Sequence, residues 1–128
     1  MNAYWIYAEN KTGNYPQDFE YGGKWLIFSS VYNAKRIWLK IKRATENGTL
    51  GNLAKMATAK PNGVFTNSKV RVICVYTYDW RDKDDVMRVR EELRKIGITR
   101  KIAYKADEDT YRGLYSNNGD SRISKYFG

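Results

Sequence analysis

Three lysines lie inside segments that otherwise read as strands: Lys24 at the head of Lys24-Trp25-Leu26-Ile27-Phe28, Lys55 beside Leu53-Ala54, and Lys105 at the end of Lys101-Ile102-Ala103-Tyr104-Lys105. A strand lysine has two readings. It can be a solvated charge that guards an edge against aggregation. Alternatively, several strands can bring their ammonium groups to one face, where together they hold a phosphate or carboxylate. Arg71 and Arg112 are candidates to join them, although counting by twos assigns neither to a face. Aromatic residues interleave with these cations, namely Trp5, Trp25, Tyr76, Tyr78, Trp80, Tyr104, Tyr111 and Tyr115. Stacking on such a ring tolerates any base and is worth about 1–3 kcal/mol. Trp25 and Trp38 read as fillers between sheet and helices. Trp80, between Asp79 and Arg81, reads as a surface contact.

Other chemistries are removed by composition. The chain has no histidine and one cysteine, so no Ser-His or Cys-His nucleophile can form and no soft-ligand zinc or iron–sulfur site can be assembled. Cys74, within Val72-Ile73-Cys74-Val75, behaves as a small apolar residue. The carboxylates of Asp82-Lys83-Asp84-Asp85 could attract magnesium, but helix capping explains them better. Neither phosphate-cradling glycine pattern is present, and no cofactor or metal is expected. An enzyme would have to work with Lys, Tyr, Arg and carboxylates, as a histidine-free lyase or nuclease with Lys55 or Lys105 as base.

Lys and Arg outnumber Asp and Glu by 23 to 14, a net charge of +9. That field favours an anionic small molecule or nucleotide, single-stranded RNA, or an acidic protein surface. No apolar run is long enough to span a bilayer, and Met1-Asn2-Ala3-Tyr4-Trp5-Ile6 does not resemble a signal peptide. The expectation is a cytoplasmic protein without membrane contact, its 128 residues forming one domain over 1–128.

The elements that must position the lysines can be read in order. Ala3–Ala8 and Lys24–Phe28 are strands, the second followed by Ser29-Ser30 as helix N-cap. Val31, Ala34, Ile37, Trp38, Ile41 and Ala44 recur at helical spacing, with Lys35, Arg36, Lys40, Lys42 and Arg43 on the other face and a stop at Asn47-Gly48. Leu50–Ala59 is a weaker strand, and Val70–Thr77 is apolar enough for a central position. A second helix runs from Asp82 to Gly97, with acids at its start and Arg94-Lys95 at its end. Lys101–Lys105 is a strand, Asp107-Glu108-Asp109 a turn, and Tyr111–Tyr115 and Ile123–Phe127 are closing strands. Strands adjacent in sequence imply hairpins. The fold class is therefore α+β: a mostly antiparallel sheet with two helices on one face and the other face open to a ligand.

Particular residues carry a likeness to a known family. They are Gly23-Lys24-Trp25-Leu26, Leu53-Ala54-Lys55 with Thr58, Val72 to Thr77, Val89-Arg90 with Leu93-Arg94, and Tyr104-Lys105-Ala106-Asp107 with Thr110-Tyr111. On these, the chain from Gly23 to Tyr115 resembles the family typified by the basophilic leukaemia expressed protein. The resemblance implies a fold similar to that of the cap-binding translation initiation factor, a curved antiparallel sheet with helices on its convex side. That factor stacks its base between two loop tryptophans. Here the corresponding loops hold Tyr15, Phe19, Tyr21 and Phe65 and no tryptophan. Some members of the family carry a phosphothreonine lyase label, and such lyases pair a lysine base with a histidine acid, which this chain lacks.

Together these observations predict a binding protein for a nucleotide-like or phosphorylated anion, one version of which sequesters a nucleotide signal. Lys24, Lys55, Thr58, Arg71, Tyr76, Trp80, Lys105, Tyr111 and Arg112 are its candidate contacts. The alternatives are the lysine-based lyase or nuclease and a module whose basic first helix docks an acidic partner or RNA.

Overall fold

The computed structural model describes residues 5–58, 69–111 and 124–128. The elements run β1 (Trp5–Glu9), β2 (Gly23–Ser30), α1 (Val31–Glu46), β3 (Leu53–Ala57), β4 (Val70–Thr77), α2 (Lys83–Ile96), β5 (Ala103–Ala106), α3 (Asp107–Tyr111) and β6 (Tyr126–Phe127). The strands form one six-stranded sheet in the order β1-β3-β4-β2-β5-β6, and its five ladders are all antiparallel. The α+β class and the helices on one face of a curved sheet are as the sequence predicts.

β4 holds the inner position that its apolar run requires. Val72, Ile73, Cys74 and Val75 are all buried, so both faces of the strand are covered, and β3 and β2 satisfy its backbone on either side. That placement overturns the hairpin inference for the first half of the chain. β1 pairs with β3, and β2 pairs with β4 and β5. Of the chain neighbours, β3 pairs with β4 and β5 with β6. The antiparallel outcome survives because α1 carries the chain across the sheet between β2 and β3.

The main core lies between the sheet and the two long helices. Trp38, Ile41 and Ala44 of α1 and Val86, Val89 and Leu93 of α2 pack on Trp25, Ile27, Ile73 and Val75. Each large buried side chain there contributes about 1.5–3 kcal/mol. Trp25 is wholly buried and donates its indole N–H to the Val86 carbonyl at 3.1 Å. α2 is capped as its sequence suggests: the Asp82 carboxylate accepts from the Asp85 N–H at 3.1 Å, and Gly97, at φ 120°, ends it. Ser30 occupies the α1 N-cap position, but its side chain makes no capping hydrogen bond.

Two local expectations need correction. Asp107-Glu108-Asp109 is the first turn of the short helix α3 rather than a simple turn, since three acids suit a helix N-terminus. Tyr111 ends that helix, so no strand begins there. Phe65, Arg112, Tyr115 and the loop Asn117-Asn118-Gly119 lie outside the described residues. Among the described residues no helix is long and apolar enough to cross a membrane.

Candidate anion-binding face

Alternation along each strand decides which side chains share a face. Trp25 and Ile27 enter the helix-side core, so Lys24, Leu26 and Phe28 project from the opposite surface. By the same parity Val72, Cys74 and Tyr76 of β4, Lys55 and Ala57 of β3, and Trp5 and Tyr7 of β1 occupy that surface. Val72, Cys74 and Ala57 form its apolar floor, packed with Trp5, Leu26 and Tyr76.

Register then brings the lysines together. Lys24 stands opposite Tyr76 on one side and opposite Lys105 on the other, and Lys55 stands opposite Tyr7 and Cys74. The ammonium groups of Lys24 and Lys55 lie 5.9 and 5.8 Å from the centroid of the Tyr76 ring, so one tyrosine joins the two cations. Lys55 also sits 4.0 Å from the Trp5 ring centroid. Lys24 pairs with the Asp107 carboxylate at 2.7 Å.

Lys105 is 6% exposed. Burial, and after it the charge of Lys24, push its pKa below the ordinary lysine value. The Cys74 thiol beneath them is pushed up to about 11 by burial, against the lowering pull of Lys55 and Lys24. It is therefore a protonated, apolar floor rather than a nucleophile. The arrangement can hold an anion over cationic and aromatic side chains.

Of the residues singled out from sequence, Lys24, Lys55, Tyr76 and Lys105 share this face. Arg71 does not: it has the parity of Ile73 and Val75, stands opposite Ser29, and donates to the Val70 carbonyl at 3.1 Å. Trp80 lies in the turn before α2 and packs on the helix-side core, its ring 4.2 Å from the Lys125 ammonium. It is half-buried rather than a plain surface contact. Thr58 follows the last residue of β3, Tyr111 closes α3, and Arg112 is outside the described residues. Trp5 is one of the interleaved aromatics but not one of the nine candidate contacts, and Asp107 is in neither group. Both adjoin the lysines only through pairing that is remote in sequence, although Asp107 lies within the motif that ends the Tyr104-Lys105 strand.

Residues 17–113 match the family described as basophilic leukemia-expressed protein Bles03. Solved structures with a similar fold include C. elegans eIF4E-3 in complex with the 4E-binding protein Mextli and a cap analog, at 19% identity and TM-score 0.57, covering 78% of this chain and 61% of that one. A schistosome eIF4E complexed with m7GpppA and 4E-BP matches at 12% identity and TM-score 0.57, covering 73% and 52%. Ascaris suum eIF4E-3 with an m2,2,7G cap matches at 20% identity and TM-score 0.50, covering 73% and 57%. The chain thus spans about half to three fifths of the length of these structures. At such identities the likeness is one of fold.

Proposed function

The chain belongs to the Bles03 family, and we propose that it binds a nucleotide-like or phosphorylated anion on the sheet face opposite its helices, without turning it over. The observation that carries this reading is the register that sets Lys24 against Lys105, with Lys55 on the same face and Tyr76 joining Lys24 to Lys55. Lysines supply point charges for phosphoryl oxygens, and Trp5 and Tyr76 offer ring faces beside them. The fold is shared with proteins solved with cap analogues, which favours a nucleotide among the possible anions. Calorimetric titration with mono- and diphosphates of adenosine and guanosine, and with inorganic phosphate, tests it. Binding lost on Lys24→Ala, Lys55→Ala or Lys105→Ala supports the site; absence of heat with every probe refutes it.

The lowered pKa of Lys105 favours a second reading, in which the same face performs lysine-based elimination or hydrolysis. Phosphate or nucleoside release during prolonged incubation with these probes, abolished by Lys105→Met, distinguishes it from plain binding.

A further inference from the structure

The two long helices treat their charges in opposite ways. α2 opens with Asp84 and Asp85 and closes with Arg94 and Lys95, and Arg88, Arg94 and Lys95 each pair with a carboxylate three residues earlier. α1 carries Lys35, Arg36, Lys40, Lys42 and Arg43 against the single acid Glu46, with no acid in its first turn. Glu46 is taken by Lys42 and Lys11, both at 3.3 Å. Among the described residues no carboxylate pairs with Lys35, Arg36, Lys40 or Arg43. Arg36 and Lys40 are like charges one turn apart, and the first turn carries no acid to complement the helix dipole, so the arrangement disfavours the isolated helix.

Apolar side chains interrupt this cationic surface. Tyr32 is 91% exposed and Leu39 51% exposed, although neither is needed by the core. Seven residues apart, they share one side of the helix at a separation of roughly 10 Å. Leu39 is ringed at helical spacing by Lys35, Arg36, Lys42 and Arg43. An apolar centre with a charged rim is the anatomy of a protein interface. An aliphatic side chain finds nothing to recognise on a phosphate backbone, and two apolar residues are too few to hold a membrane surface.

We infer that the solvent face of α1 docks an acidic amphipathic peptide segment, whose carboxylates meet Lys35, Arg36, Lys40 and Arg43 while two apolar side chains, spaced seven residues apart, seat on Tyr32 and Leu39. The surface lies on the opposite side of the sheet from the lysine face, so the two bind independently.

The test is an NMR titration of the whole chain at physiological salt. The probe is a synthetic peptide as long as α1, rich in Glu, with two leucines seven residues apart. A matched peptide with serine at both leucines, oligouridylate, and phosphatidylserine vesicles are run beside it. Shifts are expected along residues 32–43. Leu39→Ser, Tyr32→Ser, Lys35→Glu and the leucine-to-serine peptide change should each weaken binding about tenfold or more, with the melting temperature of each protein variant unchanged because these side chains are exposed. Lys105→Ala should leave peptide affinity unaltered. Absence of binding, equal binding of the serine peptide, shifts confined to the lysine face, or tighter binding of oligouridylate or vesicles to residues 32–43 would each overturn the assignment.

Discussion

Lys24 and Lys105 stand directly opposite each other across the β2–β5 ladder, and Lys24 pairs with the Asp107 carboxylate at 2.7 Å. Like charges facing across a strand pair cost stability, and both lysines are buried.

Lys24→Ala, Lys55→Ala and Lys105→Ala should each weaken mononucleotide binding by about 1.5–3 kcal/mol, the range for hydrogen bonds to charged groups. Lys40→Ala, on the far side of the sheet, should not. Calorimetry across a salt series should show a shallow slope, because a small anion neutralises few charges whereas a long strand would neutralise many. Equal loss in all four variants would point to diffuse electrostatics instead of a site.

Lys105 also sets a pH signature for stability. Its folded pKa is lowered by burial and by Lys24, so between that value and the ordinary one the unfolded chain holds the proton more tightly. Stability arising from this group therefore rises with pH across that window and is lowest below it. Lys105→Met should stabilise the protein at pH 7 by about 0.5–2 kcal/mol, with the advantage over the parent shrinking as pH approaches 10. Urea melts at pH 7 and pH 9.5 measure this, and an advantage that grows with pH contradicts it.

Cys74 reports on whether the lysine face opens. With the thiol 3% exposed and its pKa pushed up to about 11, a disulfide reagent at pH 8 should react with the native protein at least about a thousandfold more slowly than with the chain in denaturant. Labelling at the denatured rate would mean that the floor of this face is accessible.

Arg90 should matter for stability and not for binding. It is fully buried, donates to the carbonyls of Ile98, Gly128 and Arg100 at 2.8, 2.8 and 2.7 Å, and its guanidinium lies 5.8 Å from the Trp25 ring centroid. Arg90→Met removes all three bonds, leaving the Gly128 carbonyl only the Ile102 N–H at 3.0 Å, and is expected to cost about 3 kcal/mol or more, read as a lower urea midpoint with an unchanged slope. Arg90→Lys should recover only part, because an ammonium cannot reproduce the three-way planar geometry.

Local sequence determined the elements. The β4 run, the 3.6-residue repeats of α1 and α2, the Asp82 cap and the Gly97 stop are written in consecutive residues, as is the cationic outer side of α1. The strand lysines were recognisable as out of place for the same reason: a charge within an apolar run is visible from its neighbours. Strand order was not legible, because pairing of β1 with β3, and of β2 with β4 and β5, joins segments separated by loops and a helix. Nor was the facing of Arg71 or the packing of Trp80, since parity acquires meaning only once one face is covered by helices. The site depends on the same fact. Lys24 meets Lys105 across 81 residues of chain because the apolar floor of β4 places β2 beside it, and β5 then completes the other edge of β2.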